Sequence, residues 1–304
     1  MSTLNRFILR YSLFASLLFP LVLFSSSADA TSSLEKIARS GIIVLGHRDA
    51  SAPLSYVDDK TQKPMGYMLD ICYKIADAVK RELKRPDIAI KHELVVSSTR
   101  IKSLVDGKID LECGSSTSTQ DRLKEVSFTI PTYLDLGRAL VRKDSGINSI
   151  YDLTGKTIAT TRGTSYEKMA SELNVNRSLR AKILLAKDHE EAFELLEQGK
   201  ADAFIMKEVI LASLKAGAKK PENYVLAREV LEIQPTAIIL RKDDLAFKKI
   251  VDGEILRLIQ TGEINAIYKK WFESPIPPNQ INLKLPMSYM LRDSFKSPTD
   301  WVPK

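Results

Sequence analysis

The sequence predicts an α/β protein of two lobes, each a mostly parallel sheet flanked by helices, with two extended strands joining the lobes. Three observations carry this. Strand-like and helix-like segments alternate from residue 42 onward, one helix-to-strand unit occurs twice, and two proline-bordered extended stretches flank the second copy.

Residues 42–46 read as a buried strand. Residues 66–83 read as a helix whose apolar positions, Met68, Ile71, Ile75, Ala78 and Val79, fall at helical spacing. Residues 88–96 return as a strand with period-two alternation, 100–105 form a short helix, and Ile109, Leu111 and Cys113 make a short strand ending at Gly114. The repeated unit is Leu-Val-Asp-Gly-Lys-Ile-Asp at 104–110 and Leu-Glu-Gln-Gly-Lys-Ala-Asp at 196–202. In each copy a glycine, Gly107 or Gly199, suits the left-handed residue that ends a helix, and an apolar strand follows. A strand, turn and helix at 157–173 precede the later copy. Two similar lobes explain this duplication better than one extended sheet.

The stretches 132–140 and 230–237, beside Pro131 and Pro235, are the expected crossings. Lobe one then comprises residues 31–133 and 236–304, and lobe two is the insertion 134–235. Helices at 245–260 and 263–272 return to lobe one, and Ser274-Pro-Ile-Pro-Pro278 ends the last of them and starts a tail. Two strands between two lobes make a hinge, and the cleft between the lobes is where a small ligand binds.

The first 30 residues read as a secretory signal peptide. Arg6 and Arg10 give a positive start, 13–24 is an apolar run, and Ala28-Asp29-Ala30 is a small-residue cleavage site. Cleavage after Ala30 leaves a soluble exported chain. The whole sequence of 304 residues carries 45 Lys and Arg against 38 Asp and Glu. The two signs are interspersed, which argues against a nucleic-acid partner. Cys72 and Cys113 are expected as two buried thiols, one on a helix face and one at a strand end, with a disulfide as the alternative. His47, His92 and His189 have no metal-ligand spacing, so neither metal nor cofactor is expected.

The residues with chemical promise cluster at strand ends. Five hydroxyl residues, 115–119, follow Gly114 and close on Asp121-Arg122. Hydroxyls and free N–H groups at a strand-to-helix junction, with a guanidinium nearby, suit a carboxylate. Asp121 could instead simply neutralise Arg122. Arg48 follows the first strand, at the sheet edge where open α/β folds bind ligands; pairing with Asp49 is the plainer alternative. Arg100 opens a short helix, where a positive charge opposes the dipole and invites an anion. Ser97 or Ser98 could be that helix's N-cap. In lobe two, Thr161-Arg-Gly-Thr164 runs from strand into helix, and Thr164 with Glu167 has capping-box spacing. Asp188 is the expected N-cap of the helix that carries His189 in its first turn.

Gly66-Tyr-Met-Leu-Asp70, Gly107-Lys-Ile-Asp110, Thr119-Gln-Asp-Arg122, Phe128-Thr-Ile-Pro-Thr-Tyr133, Thr154-Gly-Lys-Thr-Ile158 and residues 262–272 together resemble the periplasmic solute-binding proteins that feed polar amino acids to ABC importers. The resemblance spans the mature chain. Gly46-His-Arg-Asp49, Glu112-Cys-Gly-Ser115, Ala186-Lys-Asp-His189, Lys219-Lys-Pro-Glu-Asn223 and Pro275-Ile-Pro-Pro278 make it most similar to the glutamate/aspartate branch. It implies the periplasmic-binding-protein fold, a small acidic ligand, an inner-membrane ABC permease as partner, a monomer and no chemistry on the ligand. It also implies roles. Arg48, Ser97 and His189 would face the distal carboxylate, Arg100 and Arg122 would grip carboxylates, and Ser115 and Thr117 would meet the ligand near its amino group. Thr161 and Thr164 would close on carboxylates from lobe two.

One position departs from the family. Where an aspartate usually pairs with the ligand's ammonium, this chain reads Lys207-Glu208. Glu208 could supply the carboxylate, Ser115 and Thr117 could suffice, or the ligand could be a dicarboxylate without an amino group that Lys207 welcomes. An acidic amino acid is the expectation. Two rivals share the scaffold: a periplasmic dehydratase of cyclic acids using Glu208, Lys207 or His189 as acid or base, and a ligand-sensing partner of a membrane receptor.

Overall fold

The structure is a computed structural model that describes residues 32–302; the expected signal peptide, 1–30, lies outside them. Helix α1 (Ser33–Ser40) starts on a capping box between Ser32 and Glu35 and stops at Gly41 in the left-handed conformation. Strand β1 (Ile42–His47) leads to a small antiparallel sheet of β2 (Ala50–Ser51), β3 (Ser55–Val57) and β4 (Pro64–Met65). Then come α2 (Tyr67–Glu82), β5 (Ala89–Leu94), α3 (Arg100–Val105), β6 (Leu111–Glu112), β7 (Val126–Phe128) and the long β8 (Tyr133–Arg142). The inserted part continues with β9 (Thr157–Thr161), α4 (Ser165–Asn176), β10 (Lys182–Ala186), α5 (His189–Glu197), β11 (Ala203–Lys207), α6 (Glu208–Gly217), β12 (Tyr224–Leu226) and β13 (Glu232–Thr236). Strand β14 (Ile239–Arg241) and helices α7 (Leu245–Gln260), α8 (Glu263–Phe272) and α9 (Tyr289–Ser294) complete the chain.

Two sheets form the lobes. The first has the order β5-β1-β6-β14-β7, the second β10-β9-β11-β8-β12 with β13 also on β8. Each contains three parallel strands: β5, β1 and β6 in one, β10, β9 and β11 in the other. The remaining strands are antiparallel additions, so the sheets are mixed. The reason is the hinge. Strands β8 and β13 pair antiparallel from Tyr133↔Thr236 to Gly137↔Glu232 as the chain leaves one lobe and comes back.

Helices α2, α7 and α8 cover the first sheet on one side with Ile71, Ile75, Val79, Val251, Ile255 and Phe272. A smaller cluster containing Leu104, Phe128, Ile239 and the tail's Val302 covers the other. The root of the hinge is fixed to lobe one. Tyr133 stacks on Phe272 with ring centres 5.1 Å apart, and the Tyr67 hydroxyl donates to the Thr132 carbonyl at 2.8 Å.

The cysteines correct the expectation of two thiols. Cys72 and Cys113 are disulfide-bonded, with Cα atoms 6.3 Å apart. Helix periodicity turns Cys72 onto the buried face of α2, directly over the end of β6, so both side chains meet in the same core. The bridge anchors the strand end from which residues 114–119 emerge.

Candidate ligand-binding cleft

The residues singled out from the sequence stand at C-terminal strand ends or in the segments that lead on from them. Arg48 follows β1, Ser97 and Arg100 follow β5, Ser115 and Thr117 follow β6, and Arg122 opens a short 3₁₀ turn. In the other lobe Thr161 and Thr164 follow β9, His189 follows β10, and Lys207 ends β11. Parallel strands lead all these turns to one edge of each sheet, and the two edges face each other.

Arg48, Ser97, Arg100, Ser115, Thr117, Arg122, Thr164 and Lys207 line one narrow space between the lobes, with a free volume of only about 10 Å³. Ser165, Tyr166 and Met206 complete its wall. Arg48 is 1 % exposed, and its Nε and one Nη have no hydrogen-bond partner. Arg100 donates to the Ser116 hydroxyl at 2.7 Å, to the Ser97 carbonyl, and across the cleft to the Gly163 carbonyl at 3.3 Å. Arg122 donates to the Thr117 carbonyl at 2.8 Å and to the same Gly163 carbonyl at 3.2 Å. Ser165 joins the lobes again: its hydroxyl donates to Gln234 Oε1 at 2.7 Å and lies 3.2 Å from the Thr117 hydroxyl.

The plainer alternatives for Ser97 and Arg122 fail on geometry, while that for Thr164 holds in part. Thr99, not Ser97 or Ser98, is the N-cap position of α3, and the Ser97 hydroxyl is buried without a partner. Asp121 pairs with Lys124 at 2.9 Å and Lys168 at 2.8 Å rather than with Arg122. Thr164 does cap α4, but Glu167 reaches one residue further back than a capping box requires, to the Gly163 N–H at 2.6 Å. That contact holds Gly163 at φ +74°, its carbonyl toward the two guanidinium groups. Asp188 caps α5 as expected.

The electrostatics are strongly cationic. Burial presses the Arg48, Arg100 and Arg122 guanidinium groups below their ordinary value, and for Arg100 the charge of Arg122 adds to this. Glu112 opposes the effect at all three. It is fully buried, and neither carboxylate oxygen has a hydrogen-bond partner. A Cβ at Gly114 would lie 2.0 Å from Glu112 Oε1 and 2.9 Å from Arg48 Cγ, so only glycine lets these charges pack together. His189 is held neutral, well below its usual value, by burial and then by Arg48, Arg100 and Lys207. Its Nδ1 meets the Thr161 hydroxyl at 2.7 Å, and its Nε2 is buried without a partner.

One expectation at the end of β11 needs correction, and one gains detail. Glu208 does not line the cavity; it pairs with Arg138 Nε at 3.0 Å, because the first residue of α6 turns away from the strand's cleft-facing side. Lys207 is not free. Its ammonium is 3.1 Å from Asp135 Oδ2 and donates to the Thr236 hydroxyl at 2.8 Å. Burial pushes the Asp135 carboxyl up to about 6, with Lys207 opposing. The sequence reading missed Asp135, Glu112, Tyr166 and Gln234. Asp135 had a signal: it shares the inward face of β8 with Tyr133 and Gly137, an odd place for a charge without a partner.

A larger recess lies between α5, α6 and the 276–281 segment, but Asp49, Asp59, Glu190, Glu194 and Glu197 line it, which does not suit an anion.

A model of the bacterial extracellular solute-binding proteins, family 3, matches residues 43–274. The L-glutamate/L-aspartate-binding protein of Pseudomonas aeruginosa is 41 % identical over 272 residues, 90 % of each chain. The glutamate/aspartate import solute-binding protein of Escherichia coli K12 is 38 % identical over 271 residues, 89 % of each. Among solved structures, a variant of ArgBP from T. maritima superposes with a TM-score of 0.68 at 25 % identity, covering 78 % of this chain and 98 % of that one. The cysteine-binding protein of Campylobacter jejuni gives 0.68 at 25 %, covering 79 % and 92 %. A cationic cleft between two α/β lobes, in a chain with these relatives, has one reading: the protein belongs to the bacterial extracellular solute-binding proteins of family 3.

Proposed function

We propose that the protein is the solute-capturing component of an ABC amino-acid importer, closing over one acidic amino acid of the glutamate or aspartate type. The observation that carries this is the meeting of Arg48 and Arg100, both buried, with the half-buried Arg122 on one small space lined by hydroxyls. Burying unpaired cations costs several kcal/mol each, and a ligand with two carboxylates offsets that cost. Each charge-assisted hydrogen bond contributes about 1.5–3 kcal/mol, enough in sum for micromolar or tighter binding after ordering costs.

The rest of the reading follows. Residues 31–133 with 236–304 form one lobe and 134–235 the other, and the hinge lets them close. The leader is cut after Ala30, and the mature monomer works in the periplasm, handing its ligand to an inner-membrane permease without a cofactor and without chemical change. Arg48, Ser97 and His189 hold the distal carboxylate; Arg100, Arg122, Thr161 and Thr164 hold the other; Ser115 and Thr117 meet the amino group. Titration calorimetry of the mature chain with glutamate, aspartate, glutamine and arginine tests this. Tight binding of one of the first two, with mass spectrometry recovering the ligand unaltered, is expected. Preference for arginine, or turnover, refutes it.

A further inference from the structure

The floor of the cleft holds an arrangement that the proposed function does not use. Lys207, 1 % exposed, lines the cavity, while Asp135 stands behind it on β8 and Thr236 on β13. An ammonium has three donors. Thr236 takes one, and Asp135 stands 3.1 Å away as an ion-pair partner, which leaves at least one N–H for a ligand. The Tyr166 ring lies beneath the ammonium, 5.9 Å from nitrogen to ring centre, and Gly137 makes room for it, since a Cβ there would sit 2.8 Å from the Tyr166 ring. The Tyr166 hydroxyl is buried without a partner and stays protonated, because burial raises its pKa well above the ordinary value. This corner therefore offers two unspent donors. Among the described residues, no carboxylate lines the cavity. An oxygen on the ligand can accept from both donors. A ligand ammonium cannot accept, and it meets a like charge there, with only the Ser115 and Thr117 hydroxyls to receive its protons.

We propose that the cleft also takes diacids that carry an oxygen, hydroxyl or oxo, where an acidic amino acid carries its ammonium, and that Lys207 and Tyr166 donate to that oxygen. Asp135 is the positioning residue: it neutralises the buried ammonium and, with Thr236, fixes where its free N–H points. Both partners come from the hinge strands, so the Lys207 contact is set where the lobes turn. The inference rests on the reading that this cleft holds a small diacid.

The test is calorimetry of the mature chain with glutamate, 2-oxoglutarate, 2-hydroxyglutarate and plain glutarate, repeated on Tyr166→Phe and on the double variant Lys207→Met/Asp135→Asn. The oxygen-bearing diacids should bind the wild type at least as tightly as glutamate and at least tenfold tighter than glutarate. Tyr166→Phe should weaken them three- to tenfold and leave glutarate unchanged. The double variant should weaken them at least tenfold and glutamate less. Where the double variant does not melt cooperatively, the wild-type ranking and Tyr166→Phe decide. Oxygen-bearing diacids binding no better than glutarate, or Tyr166→Phe weakening glutarate equally, overturns the proposal. Glutamate bound with the oxygen diacids rejected sinks this inference alone. The reverse sinks only the amino-acid assignment, and rejection of all four sinks both.

Discussion

Gly163 separates the energetics of closure from those of folding. A Cβ built there would lie 2.7 Å from Ser98 Cα, 2.8 Å from Ser98 N and 2.9 Å from Ser97 C, all backbone atoms of the opposite lobe. The residue also sits at φ +74°. Gly163→Ala therefore incurs two costs. The left-handed backbone costs about 1–2 kcal/mol with the lobes open or closed, which lowers the melting temperature by roughly 2–4 °C per kcal/mol in a chain of this size. The overlap exists only when the lobes meet. Overpacking of this kind costs about 1–3 kcal/mol, so affinity should fall roughly 5- to 150-fold. Gly107→Ala is the control: its φ is +71°, but nothing lies within 4 Å of the added carbon. It should lose the same stability and no affinity. Calorimetry gives the affinities, and small-angle scattering gives the ligand-induced compaction. If Gly163→Ala binds and compacts as the wild type does, the lobes do not close on this contact.

Replacing both Cys72 and Cys113 by alanine opens a link across 41 residues of sequence; loop-closure entropy sets the loss at about 4 kcal/mol, read as a lower denaturation midpoint without loss of cooperativity. His189 makes stability pH-dependent. Its native pKa lies well below the ordinary 6.5, so below that pH the unfolded chain binds a proton that the native state refuses. Its contribution is complete above about pH 7 and falls as pH drops through 6.5, by up to about 1.4 kcal/mol per unit. His189→Gln should remove one proton from the linkage measured by denaturation between pH 5 and 7, and an unchanged slope would rule it out. The Lys168–Asp121 pair spans the cleft rim at 2.8 Å, with both side chains more than half exposed, so Lys168→Ala should cost no more than about 1 kcal/mol. That loss should appear as faster ligand release and vanish at high salt.

Much of the fold is legible in the residues because the signals are local. Gly107 and Gly199 take the left-handed conformation that ends a helix, and α3, α7 and α8 start and stop where the apolar periodicity places them. The strands' mixed direction was not legible, since parallel and antiparallel pairings present the same apolar run. The site divides the same way. Arg48, Arg100 and Arg122 stand out as charges at strand and helix ends. Glu112 and Asp135 do not, because a buried carboxylate is explained by the partner that chain topology brings to it: Arg48 from β1, Lys207 from β11. Cys72 and Cys113 were ambiguous for that reason, their spacing along the chain saying nothing of the 6.3 Å between their Cα atoms.

Charge count sets the strictest demand on the ligand. Closure gathers Arg48, Arg100, Arg122 and Lys207 around one space with Glu112 and Asp135 as counter-charges. Asp49 and Asp188 also act on Arg48, but no carboxylate lines the space itself, so the cleft keeps an excess of positive charge. Glutamate supplies one net charge and places two carboxylates among the guanidinium groups; glutamine has the same shape, supplies none, and brings an NH₂ that donates toward guanidinium groups that can only donate. Losing one charge-assisted contact costs about 1.5–3 kcal/mol, so glutamine should bind roughly 10- to 150-fold more weakly than glutamate. The gap should narrow in Arg48→Met, the guanidinium whose Nε and one Nη have no other hydrogen-bond partner. If the wild type holds the two ligands equally, the guanidinium groups are structural, and the solute is recognised by something other than its carboxylates.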